Sequence, residues 1–168
     1  SDVSEYLKGY PDIEVELLIK RPGQDESFEV KLNREVIKIN EVPYFGMLND
    51  ETGYIQLNQF TRTASSEVKN AFNELKEKYN LKNIIIDLRG NPGGLLIEAV
   101  HICNMFVDKG QEIVSTKGRI SQWDKSYKAM HTVTDAEIPV VVIVNRSSAS
   151  ASEIVSGALQ DNDRALIV

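Results

Sequence analysis

Apolar and polar residues alternate over Ile13-Glu14-Val15-Glu16-Leu17 and again over Phe28-Glu29-Val30-Lys31-Leu32, with the turn signal Arg21-Pro22-Gly23 between them. A period of two predicts half-buried strands, and two such runs about a turn predict a β-hairpin. Val3 to Leu7 reads as the end of a helix stopped by Gly9. A hairpin of this size is too small to be stable alone. Residues 34–49 read as short extended pieces around Pro43.

From Gly53 the pattern changes. Tyr54-Ile55-Gln56-Leu57-Asn58 alternates as a strand, and Thr61 to Ser66 is a polar cap region. Val68, Ala71, Phe72, Leu75 and Tyr79 then recur at helical spacing, which predicts a helix with one face on a core. Ile84-Ile85-Ile86-Asp87-Leu88 is a continuous apolar strand, as expected of a sheet covered on both faces. Leu96, Val100, Cys103 and Val107 predict a second amphipathic helix ending near Gly110, and Glu112 to Ser115 a further strand. Residues 117–138 are polar and irregular, with Trp123 and Tyr127 among them. Val140 to Val144 is another buried strand, a helix follows over about Ser150–Gln160, and Arg164 to Val168 begins one more strand. Strands and helices in this order predict an α/β core.

Composition narrows the function classes. A chain of 168 residues holds one substantial core and part of another. With 42% hydrophobic and 26% charged residues it reads as a folded globular protein rather than a disordered one. A net charge of −6 argues against a basic nucleic-acid face. One cysteine, Cys103, and two histidines, His101 and His131, leave no framework for a disulfide core or a multi-histidine metal site. Neither a metal nor a cofactor is expected. No apolar run reaches the roughly 20 residues that span a bilayer. The chain opens on Ser1-Asp2-Val3 and closes on an apolar, β-branched run; it is expected to be a piece of a longer polypeptide.

Chemistry is concentrated in two strand-to-helix turns. The first is Asp87-Leu88-Arg89-Gly90-Asn91-Pro92-Gly93-Gly94. Its glycines allow positive φ and close approach to a ligand. The N–H groups of Gly93 and Gly94, at the positive end of a helix dipole, suit an anion or a developing oxyanion. A tight turn with nothing bound fits equally well. The G-x-G-x-x-G and P-loop spacings are both absent. The second turn is Asn145-Arg146-Ser147-Ser148-Ala149-Ser150-Ala151-Ser152-Glu153. Small residues there let a hydroxyl stand over the end of a sheet, as in a nucleophile elbow. Taken alone, Ser150-Ala151-Ser152-Glu153 fits a capping box better than a nucleophile elbow, and a cap needs no catalysis.

Helical geometry separates the serines. At about 100° per residue, Ser152 aligns with Val155 and Leu159 and leans into the core, whereas Ser150 aligns with Ile154, Gly157 and Asp161. Ser150 is thus the hydroxyl expected to face a groove, with the Ala151 N–H beside it. A base is harder to find. His101 falls off the apolar stripe of its helix, His131 sits in the polar stretch, and Lys109, Lys117, Lys125 and Lys128 lie in polar surroundings. A lysine base must be desolvated to lose its proton, and none of these reads as buried.

These motifs, in this order and spacing, resemble the C-terminal processing (tail-specific) serine peptidases, which use a Ser/Lys dyad. The matching stretches are Gly53-Tyr54-Ile55-Gln56-Leu57 through Phe60, Asp87 to Gly94, Ser148 to Ile154 and Gly157-Ala158-Leu159-Gln160-Asp161. The resemblance implies a ClpP/crotonase-like core of stacked βαβ units over residues 53–168, a connecting segment over 34–52, and over 1–33 the last helix and closing strands of a PDZ domain. It implies Ser150 as nucleophile, the backbone N–H groups of Gly94 and Ala151 as oxyanion donors, and a base lysine beyond Val168, so that this stretch by itself would be inactive. Asp161 matches an acidic position of the family but would lie three helical turns, about 16 Å, from Ser150, which suits a structural role. The implied substrate is a protein or peptide with an accessible C-terminus, the implied location the periplasm or cell envelope, and the oligomeric state is left open. Two other functions use the same motifs: a crotonase-like acyl-CoA enzyme, with the glycine turn as thioester oxyanion hole, and a non-catalytic peptide-binding scaffold in which Ser150 is only a cap.

Overall fold

The computed structural model describes residues 2–36 and 40–168, in two compact units divided between Ile39 and Asn40. In the first, α1 (Asp2–Leu7) precedes an antiparallel hairpin of β1 (Glu14–Ile19) and β2 (Phe28–Asn33), in register from Glu14 opposite Asn33 to Ile19 opposite Phe28. The alternation in the sequence appears as alternating exposure, with Val15, Leu17, Ile19, Phe28 and Val30 on the half-buried face. Arg34 donates from its guanidinium to the carbonyls of Leu7 at 2.8 Å and Tyr6 at 3.0 Å, closing the carbonyl end of α1.

The second unit carries a five-stranded mixed sheet in the order β3-β4-β5-β8-β9. β3 (Tyr44–Met47) is antiparallel to β4 (Thr52–Gln56); β4, β5 (Asn83–Asp87), β8 (Val140–Ile143) and β9 (Ala165–Ile167) run parallel. The helices are α2 (Ala64–Lys78) between β4 and β5, α3 (Leu96–Cys103) after β5, and α4 (Ala151–Asp161) between β8 and β9. Parallel strands require such crossovers. The core joins Ile55, Ile84, Ile86 and Val142 of the sheet to Val68, Phe72 and Leu75 of α2, Ile102 and Cys103 of α3, and Val155 and Leu159 of α4. Phe72 meets Phe106 edge-on, ring centres 5.6 Å apart. Burial pushes the Cys103 thiol up to about 12.

The sequence pattern differs from the structure in three places. β3 falls within the stretch 34–52 predicted to connect two domains, and part of that stretch, residues 37–39, lies outside the described residues. Tyr44-Phe45-Gly46-Met47 carries no alternation, and only pairing with β4 makes it a strand. β7 (Lys125–Lys128) lies in the stretch read as irregular; it pairs antiparallel with β6 (Glu112–Thr116) in a separate ribbon, after a short 3-10 turn at Ser121–Trp123. α3 stops at Cys103, not near Gly110, although Phe106 and Val107 remain buried. The freed carbonyls find partners outside the helix: Met105 O accepts the N–H groups of Thr134 and Asp135, and Phe106 O accepts Arg164 Nε at 2.7 Å.

Candidate active site

β5 and β8 are parallel neighbours, with Asp87 opposite Ile143 at their carboxyl ends. The two motif-bearing turns therefore leave the sheet side by side, at the edge where α/β folds collect their ligands. Leu88 N–H donates to Ile143 O at 2.8 Å, extending the pairing into the turns.

A set of polar side chains then locks one turn to the other. Ser148 Oγ donates to Leu88 O at 2.8 Å, and Asn145 Oδ1 accepts the Gly90 N–H at 3.0 Å. Asn91, wholly buried, donates from Nδ2 to Leu57 O at 2.9 Å and accepts the Gly93 N–H on Oδ1 at 2.8 Å. Its carbonyl accepts the Ala149 N–H at 3.1 Å and Ser152 Oγ at 3.0 Å. Ser152 is buried, as its helical position predicts, and its hydroxyl is the inner strut of the site.

The glycines are required by contact. Gly93 has φ +98°, and a Cβ there would stand 2.6 Å from Ala149 O, 2.7 Å from Ser150 Cβ and 2.9 Å from Ala151 N. Gly94 has φ +143°, and its Cβ would fall 2.3 Å from Phe60 O. Phe60 bridges the turn from its other side: its N–H donates to Gly93 O at 2.9 Å and its carbonyl accepts Leu95 N–H at 2.7 Å. The glycine turn thus lies in contact with Ser150 and Ala151, and the two motifs meet. The glycine amides have different fates. The Gly93 N–H is taken by Asn91, contrary to the expectation that it stands free. The N–H groups of Gly94 and Ala151 donate to no other described residue.

Ser150 is exposed and holds φ +56°, ψ −112°, a conformation that costs an L-residue of order 1–3 kcal/mol. Its N–H donates to Glu153 Oε2 at 2.6 Å, which is one arm of the capping box. In the other arm the Ser150 side chain lies near the Glu153 N–H, but that N–H donates to Ser150 O at 2.9 Å and the hydroxyl makes no cap hydrogen bond. A cap needs no positive φ; an ordinary N-cap serine is extended.

Beside the site, Asp87 is buried and accepts Tyr54 Oη and Arg89 Nη2 on Oδ2, both at 2.6 Å, and the Arg89 N–H on Oδ1 at 2.9 Å. Burial alone would raise this carboxyl; the hydrogen bonds from Arg89 and Tyr54 and the Arg89 charge outweigh it and hold it below its ordinary value. His101 and His131 are exposed, and the His101 ring stands 3.7 Å from Glu98. Lys109, Lys117, Lys125 and Lys128 are exposed as well, and Asp161 is exposed at the far end of α4. Among the described residues none of these hydrogen-bonds Ser150. The sequence pattern does not single out Asn91, Asn145 and Ser148, the residues that hold the turns together. Asn and Ser in strand-to-helix turns are the one available signal, since such side chains bond nearby backbone there.

The parallel sheet thus presents Ser150, exposed and at positive φ, against a glycine turn whose Gly94 amide donates to no other described residue. Residues 51–168 match peptidase family S41, and the chain belongs to that family. The carboxy-terminal-processing protease of Bartonella bacilliformis is 38% identical over 172 residues, covering 100% of this chain and 39% of its own length. The carboxyl-terminal-processing protease of Picosynechococcus is 40% identical over 167 residues, covering 96% of this chain and 39% of its own. Among solved structures, the photosystem II D1 C-terminal processing protease superposes with a TM-score of 0.66 at 32% identity, covering 99% of this chain and 46% of that one. The chain thus spans about two fifths of the length of the curated relatives it matches.

Proposed function

We propose that the chain is part of a serine endopeptidase that cuts proteins near their C-termini, with Ser150 as its nucleophile. The observation that carries this reading is the packing of Gly93 against Ser150 and Ala151, with the adjoining Gly94 and Ala151 amides free to donate. In the proposed reaction Ser150 Oγ attacks the scissile carbonyl as its proton passes to a neutral lysine, supplied beyond Val168. The Gly94 and Ala151 N–H groups take the oxygen as it becomes an anion, an effect worth about 3 kcal/mol per donor in serine proteases. The lysine returns the proton to the leaving amine, and water then releases the acyl group from Ser150. Residues 1–168 alone are then inactive.

The same reading makes the first unit the closing helix and strands of a PDZ domain, consistent with a helix followed by an antiparallel hairpin, and makes the second a ClpP/crotonase-like core. It places the protein in the periplasm or cell envelope. The test is a polypeptide extended to the length of the relatives. A fluorophosphonate probe labels its Ser150, and Ser150→Ala abolishes cleavage of an unstructured protein; a variant that cuts as fast as the parent ends the assignment.

A further inference from the structure

The ribbon of β6 and β7 ends in a basic turn that carries exposed apolar side chains, and the function proposed for Ser150 does not use it. We propose that this turn is a membrane anchor, which seats Trp123 and Ile120 at the headgroup level of an anionic lipid surface. The inference is independent of the peptidase reading.

The ribbon is fixed at its root. Ile113 and Ala129 are buried, and Val114 and Tyr127 pack against the core. Two further bonds carry the ladder past the strands: Gly110 N–H donates to Ala129 O at 2.8 Å, and Ala129 N–H to Gln111 O at 2.9 Å. Toward the turn the chain leaves the core, and every residue from Ser115 to Ser126 is exposed. Trp123 stands 68% and Ile120 43% open to water. Removing such apolar area from water is favourable, and the folded chain does not do it.

The turn is shaped by its own backbone. Trp123 N–H donates to Ile120 O at 3.1 Å and Asp124 N–H to Ser121 O at 3.0 Å, while Asp124 Oδ1 accepts the Gly118 N–H at 2.8 Å. These bonds close the turn without covering either apolar side chain. They also satisfy amides that would be costly to carry unpaired toward lipid.

Charge identifies the occupant. Residues 117–128 carry Lys117, Arg119, Lys125 and Lys128 against the single acid Asp124, a local charge of +3 in a chain of net charge −6. Among the described residues none of these four cations is in an ion pair. Glu112, opposite Lys128 at the root, accepts the Ser126 hydroxyl, and the Asp124 carboxylate is engaged by Gly118. Unpaired cations around an exposed tryptophan suit a surface that is anionic outside and apolar within. Tryptophan settles at the headgroup level, and each lysine or arginine near an anionic leaflet tightens binding about fivefold. A protein partner fits less well. A stable protein interface takes about 20–30 residues from each side, more than residues 117–128 supply, whereas lipid closes around a projecting turn of any shape.

Trp123 is the chain's lone tryptophan, so its emission reports the turn alone. The test titrates residues 1–168 with vesicles of equal parts phosphatidylcholine and phosphatidylglycerol, and separately with vesicles of phosphatidylcholine. At physiological ionic strength, charges more than about 8 Å from the lipid are largely screened, so only the turn should respond. With the mixed vesicles the emission should move to the blue and be quenched by lipid brominated on its acyl chains; with phosphatidylcholine it should stay where it is. Added salt should reverse the shift. Arg119→Glu changes the charge of the turn by two and should weaken binding about 25-fold. Ile120→Asp should weaken it as well and leaves the tryptophan in place to report. Lys69→Glu, exposed on α2, should bind as the parent does. An emission unmoved by the mixed vesicles, equal binding to phosphatidylcholine, or undiminished binding by Arg119→Glu overturns the proposal. So does a shift with polyglutamate and none with vesicles, which assigns the turn to an acidic protein instead.

Discussion

At the scale of single residues, the site depends on groups that do no chemistry. Asn91 is buried with both ends of its amide engaged, and its loss leaves the Leu57 carbonyl and the Gly93 N–H without partners. An unpaired buried polar group costs about 1–3 kcal/mol. Asn91→Ala should therefore destabilise the protein by about 2–4 kcal/mol in urea unfolding. Asn91→Asp, which sets a buried carboxylate oxygen against the Leu57 carbonyl where the donor stood, should lose at least as much. Ser150 should respond with the opposite sign. Its φ of +56° suits glycine better than serine, and glycine at an N-cap costs only a few tenths of a kcal/mol. Ser150→Gly should raise stability by about 1 kcal/mol while removing the hydroxyl, so the residue proposed as nucleophile is held at an energetic cost to the fold.

At the scale of elements, Asp87 ties the end of β5 to β4 through Tyr54 and to the glycine turn through Arg89. Asp135 does likewise for α2, accepting Lys76 Nζ at 2.5 Å; burial raises its carboxyl, but Lys76 and the N–H groups of Ile138 and Glu137 bring it below its ordinary value. Both carboxyls bind protons more weakly folded than unfolded. Their contribution is thus complete above the ordinary carboxylate value of 3.8 and disappears as pH falls through the lower folded values. The melting temperature should fall steeply below about pH 4, and less steeply in Asp87→Asn. Elements differ in how far the sequence reveals them. The strands β4, β5 and β8 and the helices α2 and α4 were legible because their side chains face a core with a fixed period. β7 was not, because Lys125 to Lys128 owe their conformation to the strand beside them, and of β3 only an extended piece near Pro43 was legible, not its pairing with β4. The meeting of the two motif turns was an expectation from the roles that the family resemblance gives Gly94, Ser150 and Ala151. The Asn91 keystone was not, because an asparagine in a turn signals a local backbone bond but not the distant Leu57 carbonyl that it holds.

At the scale of the whole molecule, the two units differ in substance. Every described residue in the buried core belongs to the second unit, from Glu41 and Val42 onward, whereas the hairpin of the first has only a half-buried face. Amide hydrogens of β1 and β2 should therefore exchange much faster than those of β5 and β8, as read by mass spectrometry on peptic fragments. The core also seals in the chain's lone thiol: Cys103 is wholly buried, its proton held by the apolar surroundings. Thiol-directed dyes should leave the native protein dark and stain it only once denatured. A single cysteine grafted at an exposed site would then carry a fluorophore without background, giving a clean optical channel for following docking at the serine edge in real time.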